Sequence, residues 1–315
     1  MSLSLLSLEQ TAARLSVSTS TLNRWHHMKW AAATDYEEVS VPRVGKVSAR
    51  RWRDSAVEDL VKRTPELLER DEQLRNFRKS CRKFGKEYAQ AILDGKDEPQ
   101  PPSVIPHVSD ASIDDSGIPI GVKDAISAFL KQTHAWGIRA LQTEFEIDLG
   151  ACELEVSWHQ ISVREFWSPF NFESSRGGRK NGKYFVRLMA GVRMEEVREF
   201  NALIAPLFRR DEYDFIADDP EIGSCEGLNA FQLILRTYLH EISHAAALWL
   251  KDKRIQLPDQ IIRFEESKRS APPLKLQEQI RSGHDLSWSA LYRGLTRLAI
   301  ISPREQLKTS RRRRR

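Results

Sequence analysis

Cysteine is scarce in this chain, with three in 315 residues, at 81, 152 and 225. None belongs to a C-x-x-C pair, and an odd, widely spaced set does not make a disulfide framework. Reduced thiols in a cytoplasmic protein are the expectation. Long apolar runs are lacking too: none approaches the ~20 residues that a membrane helix needs. The opening MSLSLLSLEQ has neither a basic n-region nor a full apolar stretch, so no secretory signal and no membrane partner are expected. The body of the chain also lacks an excess of charge. Lys plus Arg number 49 and Asp plus Glu 44, a net +5, and residues 311–315 are all Arg. The rest therefore balances to zero.

What is present suffices for folding. Apolar residues make up 40%, which argues against wholesale disorder, and the length suits about two domains. Five stretches differ in character. Residues 1–63 are dense in turn signals and read as a small domain. Residues 64–94 read as one amphipathic helix, opened by Thr64-Pro65-Glu66 as cap, first-turn Pro and first-turn acid. Residues 95–118 are rich in Pro, Asp and Ser, a linker composition. Residues 119–301 mix helical and strand periodicity and form the larger domain. Residues 302–315 are a basic tail.

In the first stretch, Ser7-Leu8-Glu9-Gln10 has the form of a capping box. Ala12, Ala13 and Leu15 follow at helical spacing. Ser16-Val17-Ser18 interrupts, and Thr19 or Ser20 can cap a second helix through Leu22 and Trp25. Two short helices joined by a tight turn form a helix-turn-helix. Residues 40–53 then hold five cations and no acid: Arg43, Lys46, Arg50, Arg51 and Arg53. Pro42 and Gly45 suit a β-turn between short strands, and Asp54 can cap a further helix. Arg and Lys displace counterions from phosphate, while Ser, Thr, Asn and Arg at a helix end can reach base edges. DNA is therefore the expected partner of this domain. Along residues 60–88, Leu60, Leu67, Leu74, Phe77, Cys81, Phe84 and Tyr88 form a heptad-like stripe. That stripe can pack on its own domain or pair two copies, and a homodimer through residues 64–94 would suit a two-fold DNA site.

The chemistry-bearing segment is LILRTYLHEISHAAALWL, residues 233–250. His240 and His244 are four apart and share one helix face, so they can converge on one ion. Glu241 completes H-E-x-x-H, in which the carboxylate acts as base toward a zinc-bound water. The competing arrangement is a pair of hydrogen-bonded core histidines with Glu241 paired to an Arg such as Arg236. A catalytic zinc needs a third protein ligand. Only His284 lies downstream, in RSGHDLSW, just before an amphipathic helix. Glu265, Glu266 and Glu278 are the fallback ligands, while His107, His134 and His159 are less suited.

Two resemblances arise from these residues. EQTAARLSVSTSTLNRW, the basic hairpin and RRWRDSAVEDLV resemble the excisionase and MerR-type winged helix-turn-helix. That likeness implies Ser18, Thr19, Ser20, Thr21, Asn23 and Arg24 at or near DNA, with Arg43, Lys46, Arg50, Arg51 and Arg53 on or around the wing. TYLHEISHA and GHDLSW resemble the SprT-like (Spartan-type) metalloproteases. A helix near residues 122–142, strands in ELEVSW and KYFVRLMAG, a turn at SSRGGRKNG, a helix from Met194 and a loop EYDFIADDPEIGSCEG fit the same order. This resemblance implies an α+β zincin-like domain with His240, His244 and His284 on Zn2+ and Glu241 as catalytic base. Together they imply a cytoplasmic, nucleoid-associated peptidase acting on DNA-bound protein. Two other functions remain open from the residues: a transcriptional regulator whose C-terminal domain does no chemistry, and an ImmA/IrrE-like repressor-cleaving peptidase, which takes a downstream Glu as third ligand. Excisionase-like modules also occur in phage and mobile-element proteins.

Overall fold

The computed structural model describes residues 5–28, 30–31, 36–41, 47–102, 120–160, 170–171, 175–192, 201–206, 208–213, 215–269 and 283–303; side chains are not described within 32–51. The chain mixes α-helices with small β-sheets and divides into two compact units. One comprises residues 1–80 with 103–121, the other residues 81–102 with 122–315. No described helix is long and apolar enough to cross a membrane.

The first unit begins with β1 (Leu5–Leu6), α1 (Leu8–Arg14) and α2 (Thr19–His27). Ser7 closes the expected capping box with Gln10. Ser18, rather than Thr19 or Ser20, caps α2, its hydroxyl accepting from the Thr21 N–H at 3.1 Å. Between the helices Ser16 adopts a positive φ of 56°, which makes the turn tight. β2 (Tyr36–Val41) and β3 (Val47–Arg53) pair antiparallel, and β1 adds to the far side of β3, giving the order β1-β3-β2. The buried core is Ala12, Leu15, Leu22, Trp25, Trp30 and Trp52, closed by Val57 and Leu60.

Helix α3 runs unbroken over Asp54–Asp94 with Pro65 inside it. Thr64-Pro65 therefore does not start a helix. The Thr64 hydroxyl donates to the Leu60 carbonyl at 2.8 Å, and apolar residues on both sides of the proline are buried, including Leu60, Leu67 and Leu74. Their packing outweighs the roughly 3 kcal/mol a proline costs in a helix interior. All seven stripe residues are buried within the chain, while Leu68 on the same helix is exposed.

In the second unit, α4 spans Ile120–Glu144. Gly85 lets α3 lie directly against it: a Cβ there would stand 2.0 Å from the Ala125 carbonyl oxygen. β4 (Glu153–Gln160) pairs parallel with β7 (Lys183–Val192). On the other side of β7 lie β5 (Phe170–Asn171) and β6 (Arg176–Lys180), both antiparallel. The segment RGGRK, expected within a turn, is thus a strand. Only Asn181 and Gly182 turn, with φ of 50° and 80°, the two positive values of a type I′ hairpin. A four-residue helix α5 (Asn201–Ile204) and the ribbon β8 (Phe208–Arg210) with β9 (Cys225–Leu228) follow; the expected helix start at Met194 lies outside the described residues. Asn229 caps α6 (Ala230–Lys253) in a second capping box with Gln232. Its Nδ2 also donates to the Tyr88 hydroxyl at 2.6 Å, and Tyr88 stacks on Phe231 with centroids 4.5 Å apart. α7 (Asp259–Lys268) and α8 (Leu286–Thr296) complete the unit, α8 passing into a π-helical turn at Arg297–Ile301.

Candidate metal centre

Helix α6 is buried over sixteen of its residues, among them His240 and Glu241. The i,i+4 spacing places His240 and His244 side by side, and the segment entering α8 delivers His284. Asp285 caps α8 by accepting from the Trp288 N–H, so His284 stands immediately before the cap. Gly283, at φ 80°, gives the chain its turn into the site. Arg269 fixes the entry: its Nη2 donates to the His284 carbonyl at 2.9 Å, the Asp285 carbonyl at 2.6 Å and the Ser289 hydroxyl at 2.6 Å.

The three Nε2 atoms form a nearly equilateral triangle with sides of 3.3 Å (His240–His244), 3.1 Å (His244–His284) and 3.3 Å (His240–His284). His244 Nδ1 lies 3.1 Å from the Gly283 carbonyl oxygen; a carbonyl only accepts, so the ring proton sits on Nδ1 and Nε2 presents a lone pair. His240 Nδ1 faces a Glu212 carboxylate oxygen at 3.4 Å, a loose contact short of hydrogen-bond geometry, and the carboxylate favours a proton there as well. Lone pairs pointed at one another repel unless a cation lies between them. A tetrahedral ion with imidazole bonds of about 2.0–2.1 Å holds its ligands about 3.3 Å apart, which is the separation seen. These three histidines are the metal-capable cluster among the described residues.

The surroundings support that use. Burial, then the neighbouring imidazoles, holds His244 neutral down to about 2; burial and His240 bring His284 to about 3. Burial would raise Glu212, but the charge of Arg210, its 2.5 Å partner, and the contact with His240 hold it down to about 2. The Tyr292 hydroxyl donates to Glu212 at 3.1 Å, and the Ser224 hydroxyl accepts from the Glu212 backbone N–H at 2.9 Å. Glu212 is thus a fixed anion behind His240, the arrangement that orients a metal-bound imidazole. Glu241 is buried next to His240; burial raises its carboxyl, opposed by its neighbours His240 and Arg210. It is not paired with Arg236, which donates instead to the Glu221 carbonyl. Trp288 covers the site with its ring 4.6–5.4 Å from all three imidazoles. Tyr213, 45% exposed, packs 4.1 Å from the His284 ring and marks the open side.

The other candidates fall elsewhere. Glu265 is buried in an ion cluster, bound to Arg293 at 2.8 Å along with Asp219 and Glu221. Glu266 is exposed and Glu278 lies outside the described residues. His134 is held by Tyr238 and the Cys152 carbonyl, each at 3.1 Å. His107 and the side chain of His159 are not described. No family model, curated protein or solved structure matches the chain.

In the first unit Ser18, Thr19 and Ser20 are exposed at the start of α2, and Thr21 and Asn23 are half-buried. Arg24 is paired with buried Asp71 by two contacts of 2.5 and 2.7 Å, and this pair ties α2 to α3. Arg53 is exposed at the end of β3. Arg50 and Arg51 occupy β3 opposite Glu38 and Glu37, without described side chains, and Arg43 and Lys46 lie outside the described residues. Sequence reasoning missed Glu212 and Arg269, which have no fixed spacing to H-E-x-x-H.

Proposed function

We propose that the chain is a DNA-directed zinc metallopeptidase of SprT-like character that hydrolyses peptide bonds in DNA-associated proteins. The observation that carries the reading is the triangle of three Nε2 atoms with Glu241 next to His240 on the same helix. His240, His244 and His284 would hold a zinc ion, which would supply a Lewis acid for a carbonyl and lower the pKa of water toward ~7. Glu241 would serve as the base that takes a proton from the attacking water and returns it to the leaving amine. Its buried position keeps its carboxyl above the usual range, which suits a group that must both take and give a proton. Gly177 lets β6 lie against the Glu241 backbone. Glu212 and Trp288 fix His240, and Arg269 fixes the backbone of His284.

The first unit supports the DNA-directed part. Two short helices with a tight turn and an antiparallel strand pair follow the order of a winged helix-turn-helix, and Ser18, Thr19 and Ser20 are presented to solvent. Such a module raises the local concentration of DNA-bound substrate. The ImmA/IrrE-like alternative, with its Glu third ligand, is disfavoured by His284 at the triangle and Glu265 on Arg293. The test compares wild type with Glu241→Gln. Both should carry about one zinc per chain, and the variant should lose 10²–10⁴-fold in cleavage of a DNA-bound protein. Equal cleavage by both, or no zinc in either, overturns the proposal.

A further inference from the structure

We infer that the β6–β7 hairpin and the C-terminal end of α6 form a second polyanion surface, on the larger unit itself, that grips a nucleic-acid backbone next to the metal centre. Two contacts bring these pieces together. Arg179 pairs with Asp252 at 2.9 Å, and the Tyr184 hydroxyl donates to the same carboxylate at 2.8 Å. The hairpin thereby presents Arg179, Lys180 and Lys183 alongside Lys251, Lys253 and Arg254, all exposed. Against these six cations stand Asp252 and Glu153, the partner of Lys183. Outside the Arg tail the chain is charge-balanced, so this excess is a local concentration. Among the described residues Lys180, Lys251, Lys253 and Arg254 make no ion pair and are left to bind something else.

Arg254 adds a third cation at the end of the helix. It caps α6 in the left-handed region at φ 56°, where glycine is the usual residue and any other side chain carries a backbone cost. Its charge adds to those of Lys251 and Lys253 in the last turn. The surface is well placed: Asp252 lies eight residues beyond His244, about 12 Å along the helix at 1.5 Å per residue. A phosphate chain held there would bring protein attached to it toward the metal centre. The hairpin tip, Lys180-Asn181-Gly182-Lys183, has no apolar side chain to insert into a bilayer, whereas repeated unpaired cations match a continuous polyanion.

The inference does not require the centre to be catalytic, and its test is separate. Full-length protein carrying Glu241→Gln is titrated with a short labelled duplex and with a single strand across a salt series. The helix-end set Lys251→Ala, Lys253→Ala, Arg254→Gly and the hairpin set Lys180→Ala, Lys183→Ala should each weaken binding. Each should also flatten the slope of log affinity against log salt, by about 0.9 per lost duplex contact or 0.7 on a single strand. Arg50→Ala with Arg51→Ala, in the first unit, should add to these losses. On the active background the helix-end set should cut cleavage of DNA-bound protein but not of a free unstructured protein, with zinc content unchanged and melting temperature equal or higher. Unchanged slope and affinity in both sets overturn the inference, as does no DNA binding by the parent. Losses confined to anionic vesicles or an acidic protein also overturn it. Absence of zinc or of cleavage defeats the peptidase proposal instead, while the DNA titration still decides this one.

Discussion

An imidazole that donates from one nitrogen presents a lone pair at the other, and His244 is fixed in that state by the Gly283 carbonyl. The anion behind His240 is the most informative neighbour. Glu212→Gln keeps the shape but removes the charge that holds the His240 proton, so zinc affinity should fall by about 10–100-fold; chelator competition measures it, and an unchanged affinity would show that Glu212 serves only Arg210. Gly177 makes a steric demand. A Cβ there would stand 1.7 Å from the backbone oxygen of Glu241, so Gly177→Ala should push β6 off α6, reducing zinc content and melting temperature together. His240, Glu241 and His244 were legible because i,i+4 geometry is local. Glu212 and Gly177 were not, because their relation to the site is made across loops and strands.

Among the elements, α3 shows packing overruling a local signal. Thr64-Pro65-Glu66 has every mark of a helix start, yet the apolar stripe on both sides is buried and the helix runs through. Pro65→Ala would restore a backbone donor, and should stabilise the protein by about 1–3 kcal/mol, read as a raised urea midpoint at constant slope. A lowered midpoint would mean that Pro65 is needed where it stands. β6 shows the reverse error. RGGRKNG is so rich in turn formers that it reads as a turn throughout, but Asn181-Gly182 alone suffices for the reversal, and pairing with β7 makes the rest a strand. The capping boxes at Ser7 and Asn229 depend on three-residue spacing; the first was read directly, whereas the second waited on the structure.

At the scale of the molecule, the buried histidines couple stability to pH. In the metal-free protein His244 and His284 titrate near 2 and 3, against 6.5 when unfolded. Between those values the unfolded chain binds protons that the native state refuses. Stability therefore falls as pH drops below about 6.5, by up to ~1.4 kcal/mol per pH unit for each imidazole. Glu212, near 2 in the fold against 4.5, adds to the loss below about 4.5. Chelator-treated protein should thus melt markedly lower at pH 5 than at pH 7, and zinc should raise the melting temperature at both, because it binds the native site. A flat profile would mean that the imidazoles are not buried as described. Much of this protein was written in one dimension: the capping box at Ser7, two short helices with a tight turn, a helix bearing H-E-x-x-H, and a histidine before a later helix. Those features follow from spacings of a few residues, which backbone geometry converts directly into faces and ends. Assembly of the triangle, the carboxylate behind it, the use of the stripe inside the chain and the commitment of Arg24 to Asp71 came only with folding. Each depends on which distant segments share a core, and no short-range pattern encodes that.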